Sequence, residues 1–174
     1  LRTISYPFAT VESGTSVEIY HGNHGGFETR SPVISFVPYK VANTPHLIAG
    51  YTCTQLVKFP VSSLAPGAKV MGTTIAELGN RNRPTDMIVY SKGGKDYLLI
   101  ANTSRGVMKV NTDKIEQNAG INSPVGGGGT AGQSYESIGD LQGVVQLDKL
   151  NDEYAVVLQQ TDGGDVTVKS VPLP

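Results

Sequence analysis

The sequence predicts an all-β protein built from a repeated antiparallel unit, and three observations predict it. Helical periodicity is nearly absent, while short β-branched runs with period-two alternation recur along the 174 residues. Twenty-one glycines and ten prolines, with no tryptophan, mark a chain rich in turns. One pattern of three strands and two tight connections can be read three times, with lysines at matching places.

Each element can be justified in order. Ser16–Tyr20 ("SVEIY") is a short alternating strand ahead of the first unit. The first unit, "SPVISFVPYKVANTPHLIAGYTCTQLVKFPV", holds strands at Pro32–Tyr39, His46–Thr52 and Gln55–Val61, followed by a short outer strand at Thr73–Leu78. The second, "DMIVYSKGGKDYLLIANTSRGVMKVNTD", holds Asp86–Ser91, Tyr97–Asn102 and Val107–Asn111, with an outer strand at Tyr135–Ile138. Its Lys92-Gly93-Gly94-Lys95 connection is a hairpin signal, because both central positions of the favoured two-residue turns need positive φ. The third, "GVVQLDKLNDEYAVVLQQTDGGDVTVKSVPL", holds Gly143–Asp148, Tyr154–Gln160 and Asp165–Val171. Lys40, Lys92 and Lys149 close the first strands, and Lys58, Lys109 and Lys169 sit within the third strands, at intervals of roughly 50 to 60 residues.

A period of about 50 residues with four antiparallel strands per unit is the pattern of β-propeller blades. A β-sandwich gives no reason for three-strand meanders to repeat with lysines in register. The expected fold is therefore an all-β, β-propeller arrangement of about three four-stranded blades within a larger, six- to eight-bladed ring. It divides into an outer strand at 16–20, blades at 32–78 and 85–138, and an incomplete blade at 143–172. The last unit lacks an outer strand and the first strand lacks a blade. Complementary blades, from another chain or a second copy, are therefore expected, and the chain reads as the C-terminal part of a larger propeller. "NRNRPTDMIVY" resembles the entry to an inner strand in NHL-like and lactonase-like propellers. That resemblance implies a ligand or active site at the mouth of the central channel. The WD dipeptide and the tryptophan docking motif of quinone-dependent propellers are missing.

Composition excludes some functions. A net charge of -1 and a pI near 6.3 argue against a nucleic-acid or polybasic membrane surface. No apolar run approaches the ~18 residues of a membrane span. Cys53 is the single cysteine, so an internal disulfide is excluded and the compartment stays open.

Strand alternation sorts the loops. Connections entering the first strand of a unit share one end with those joining its second and third strands. That end collects Tyr20–Pro32, Thr52–Gln55, Gly79–Pro84 and Asn102–Gly106, and hence His21, His24, Glu28, Arg30, Cys53, Arg81, Arg83 and Arg105. The Lys114–Gln133 segment with its glycine run, read as a flexible excursion, falls at the opposite end.

Two constellations follow. In "HGNHGGFE", His21, His24 and Glu28 offer two imidazoles and a carboxylate, a ligand set for Cu, Zn, Fe or Mn that leaves positions open for water or substrate. One histidine, oriented by Glu28, would alternatively serve as a general base. The glycines of the same stretch argue equally for a hydrogen-bonded structural turn. Arg81, Arg83 and Arg105 are candidate clamps for an anionic small-molecule substrate, unless Asp86 and Glu77 neutralise them. Cys53 and His46 read as ordinary structural residues. The function expected is that of a metal-assisted propeller oxidoreductase or hydrolase, with a non-catalytic binding or assembly module as the alternative.

Overall fold

A computed structural model describes residues 13–53 and 55–174. The Thr52–Gln55 turn thus includes one position outside the described residues. The regular structure is β, in four small sheets, with three single-turn 3₁₀ segments. Among the described residues no helix is long and apolar enough to cross a membrane.

Strand β1 (Ser16–His21) lies between β2 (Gly26–Glu28), antiparallel to it, and β6 (Lys69–Met71), parallel to it. The segment expected as a lone outer strand is thus the centre of its own sheet. Residues 26–28 and 69–71, three residues each, are too short to show as strands by alternation. The second sheet is the meander β3 (Val33–Val41), β4 (Thr44–Tyr51), β5 (Gln55–Pro60) and β7 (Thr73–Leu78). The third is β8 (Pro84–Lys92), β9 (Lys95–Asn102), β10 (Gly106–Asn111) and β12 (Tyr135–Ile138). The fourth is β13 (Val144–Lys149), β14 (Tyr154–Gln160) and β15 (Val166–Pro172), with no fourth strand among the described residues. Gly93 and Gly94 sit at φ +60 and +77 between paired Lys92 and Lys95, the backbone that a two-residue hairpin demands.

The three meanders pack face to face in chain order. The second and third sheets enclose Ile48, Leu56, Ile75, Leu98, Ile100 and Met108. The third and fourth enclose Tyr90, Leu99, Val107, Val144, Leu147 and Val157. The first strands of the meanders run side by side: Ser35 donates to the Pro84 carbonyl at 2.8 Å, and the Leu147 amide donates to Asp86 at 3.0 Å. This is why "MIVY" and "VVQL" are near-continuous apolar runs, since each is covered by a neighbouring sheet. The arrangement is compatible with a propeller.

One placement differs from the sequence reading. Residues 112–133 do not project away at the opposite end. Strand β11 (Thr130–Gly132) adds to β7 as a fifth strand of the second sheet. Ahead of it the chain runs along β7, with the Ile121 amide on the Thr74 carbonyl at 2.8 Å and the Val125 amide on the Gly22 carbonyl at 2.8 Å. Lys58 anchors this segment through the carbonyls of Ile115 and Asn118. Partial desolvation, partly offset by Glu116, lowers its pKa. The glycine run is thus a shaped path, and it buttresses the histidine loop.

Candidate metal centre

"HGNHGGFE" folds as the β1–β2 hairpin. His21 pairs with Gly26 across it, and the amides of His24 and Gly25 both return to the His21 carbonyl. Gly25, at φ +68, supplies the left-handed residue that closes the turn. The residue facing His21 has no side chain, so the diagonal neighbour on that face, Glu28, reaches the ring.

Three side chains converge as a result. His21 Nδ1 lies 2.9 Å from Glu28 Oε1, and His24 Nδ1 lies 2.6 Å from the same oxygen. The imidazoles stack with centroids 3.7 Å apart at an interplanar angle of 38°. Ser31 donates to the other oxygen, Oε2. Burial by itself would raise the Glu28 carboxyl. Hydrogen bonds from Ser31, His24 and His21, and electrostatic attraction by His21, outweigh it and lower the pKa to about 2. Glu28 is therefore an anion throughout the range in which imidazoles are neutral. His21 is buried at 1% exposure, whereas the His24 side chain is 60% exposed.

The loop is held from behind. Glu77, 1% exposed on β7, accepts the Gly22 amide at 2.6 Å and the Asn23 side-chain amide at 3.2 Å. A Cβ at Gly22 would lie 2.8 Å from Val125 Cγ2 and 3.1 Å from Glu77 Cγ, so only glycine lets the hairpin sit this close. An open depression of about 470 Å³ lies beside the cluster, lined by His21, His24, Glu28, Arg30, Ser31 and Cys53 with their neighbours. Loop 20–32 and residues Thr52 and Cys53 therefore line one pocket, at the end where alternation places both. Cys53, at φ +71, is a half-buried turn residue on its wall.

The arginines lie elsewhere. Loops 79–84 and 102–106 pack on each other through Asn82–Asn102 at 3.0 Å, Arg83 N–Thr103 at 3.1 Å and Ser104–Arg81 O at 2.5 Å. Arg81 and Arg83 are exposed, and Arg105 lies over Gly79 and reaches the Asn80 carbonyl. None of the three lines the histidine pocket; Arg30 does. Nor do Asp86 and Glu77 pair with them: Asp86 accepts the amides of Met87 and Leu147, and Glu77 serves the hairpin. His46 bonds the nearby Thr44 carbonyl at 2.8 Å.

Sequence reasoning missed Ser31, Glu77 and Val125. Ser31 had a local signal, lying three residues beyond Glu28. Glu77 and Val125 had none, because strand pairing and chain path bring them in.

His21, His24 and Glu28 place one ligand atom each within 4.8 Å of one another. Around one ion at ~2.0–2.2 Å such atoms stand roughly 3–3.5 Å apart. The two N···O distances, 2.9 and 2.6 Å, would have to widen by roughly 0.1–0.9 Å. No protein-family model, curated protein or solved structure matches the chain.

Proposed function

We propose that the stacked meanders are propeller blades and that His21, His24 and Glu28 bind a divalent transition metal, Cu, Zn, Fe or Mn, which acts on a small molecule at the channel mouth. The observation that carries the metal reading is the approach of two imidazole nitrogens to one oxygen of an ionised carboxylate. With two nitrogens and one oxygen from one hairpin as ligands, an ion held there would keep positions free for water or substrate from the pocket. There a bound water would be acidified for hydrolysis, or a redox metal would meet its substrate. The anion-binding role expected of Arg81, Arg83 and Arg105 passes to Arg30, which lines the pocket. Calorimetric titration with zinc, backed by metal analysis, tests the reading. One equivalent bound by the wild type and none by a His21→Ala/His24→Ala double variant is expected. A wild type that takes up no metal, or a double variant that binds as well, would refute it.

A second observation favours an assembly role alongside. The outward face of the fourth sheet exposes Val166 at 55% and Val168 at 70%, and among the described residues β15 has β14 as its single neighbour. Open edges and apolar faces of this kind are associated with partner sheets. Complementary blades, from another chain or a second copy, would cover both. Sedimentation velocity over a concentration series should show association. A strictly monomeric 18.4 kDa species throughout would remove this reading.

A further inference from the structure

Behind the hairpin, four buried polar atoms have no hydrogen-bond partner among the described residues: His21 Nε2, Tyr51 Oη, and both Nε2 and Oε1 of Gln55. None of the three residues is more than 1% exposed. Buried polar groups are nearly always satisfied, so such a group marks a partner yet to be engaged.

The topology brings the three together. Gln55 pairs with Glu77 across β5 and β7, and Glu77 accepts the amide of Gly22, the residue after His21. Gln55 is thus one ladder step from the carboxylate that pins the histidine loop. Tyr51 ends β4 and Gln55 opens β5, and Thr52 and Cys53, which follow Tyr51, line the same pocket as His21. The register Gly50–Leu56, Ala49–Val57, continued one step, sets Tyr51 opposite Gln55 on the face of Ala49 and Val57. That face packs on Ile19, and His21, two residues along β1, shares the face of Ile19.

We propose that Gln55, assisted by Tyr51, is a positioning residue that engages His21 Nε2 and sets which ring nitrogen faces the metal. The inference rests on the metal reading above. While His21 Nδ1 carries its proton towards Glu28, Nε2 is a lone pair and needs a donor: the Gln55 amide or the Tyr51 hydroxyl. Once Nδ1 ligates a metal, the proton resides on Nε2 and needs an acceptor, which Gln55 Oε1 provides. A primary amide serves both states by turning, since it carries two donors and a carbonyl. Partners on the non-ligating nitrogen of a metal-bound histidine orient the ring, and their loss weakens metal binding about 10- to 100-fold. This accounts for an amide among Val57, Phe59 and Ile19, where an apolar side chain of the same size would pack without cost.

The test uses the full chain, zinc alone as the probe, and ¹⁵N-labelled histidine. Zinc should move the His21 proton from Nδ1 to Nε2, and that proton should exchange slowly and show a nuclear Overhauser contact to the Gln55 side chain. Gln55→Met should bind zinc about 10- to 100-fold more weakly, with mixed His21 tautomers. If Gln55→Met does not fold, the contact in the wild type decides, and its absence overturns the inference. Zinc affinity in folded Gln55→Met within twofold of the wild type, with unchanged His21 shifts, would overturn it while leaving the metal site standing. Failure of the wild type to bind zinc would remove both.

Discussion

The two faces of the second sheet are built from one set of strands yet solve burial differently. Towards the third sheet, Ile48, Leu56, Ile75 and Leu78 meet Met87, Leu98, Ile100 and Met108. The buried polar groups on that side are bonded: Ser35 to the Pro84 carbonyl, Lys58 to those of Ile115 and Asn118. Towards β1, Ala49, Tyr51, Val57 and Phe59 meet Ile19 and Leu64, but His21, Gln55 and Glu77 are buried among them. There, atoms of His21, Tyr51 and Gln55 lack partners among the described residues. The first face gains all it can from apolar area at about 25 cal/mol per Å². The second gives up part of that gain to keep polar groups inside, a cost of about 1–3 kcal/mol per unmet group. Stability by itself does not explain such a face; the proposed metal would.

The largest expected effect lies on the apolar face. Leu98→Ala, at a fully buried position, should lower unfolding free energy by about 2–5 kcal/mol in urea denaturation, with zinc affinity of the folded protein unchanged. A loss below ~1 kcal/mol would mean that the sheets are not packed as described.

Glu77→Ala is next. It strips the Gly22 and Asn23 amides of their acceptor and should cost about 1–3 kcal/mol while also weakening zinc binding. Zinc affinity equal to the wild type would separate the pinned loop from the site.

A smaller effect appears in pH. The Glu28 carboxyl titrates at about 2 when folded, below its ordinary value of 4.5. Its contribution is therefore fully present above about pH 4.5 and is lost as pH falls towards about 2. The unfolding free-energy difference between wild type and Glu28→Gln should shrink as pH falls from about 4.5 towards about 2. A difference that grows as pH falls through that window would contradict the lowered carboxyl.

The smallest stability change belongs to His24→Ala. Its ring is largely exposed, so the midpoint of urea unfolding should stay within about 0.5 kcal/mol of wild type while zinc binding falls sharply. A large loss of stability with zinc binding intact would make the hairpin a structural turn and nothing more.

The sequence by itself determined the all-β class, the three meanders and most strand bounds, because period-two alternation and turn chemistry are local. Gly93-Gly94 shows its hairpin without reference to the rest of the chain. It also determined that His21, His24 and Glu28 share a short segment, which a hairpin then closes. Tertiary structure alone decided what surrounds them. The matching lysines show the difference: Lys58 is buried against two carbonyls, Lys109 lies 4.3 Å over the Tyr97 ring, and Lys169 bonds Gln159 at 2.7 Å. Equal positions in a repeat meet unequal neighbours. Likewise, alternation assigns Arg81, Arg83 and Arg105 to the end of the histidines but they do not line the histidine pocket, whereas Val125 and Glu77, distant in sequence, reach the Gly22 loop. Alternation predicts which end of a strand a loop occupies. It carries no information on which loops then touch, since that depends on sheet stacking and on the path of residues 112–133.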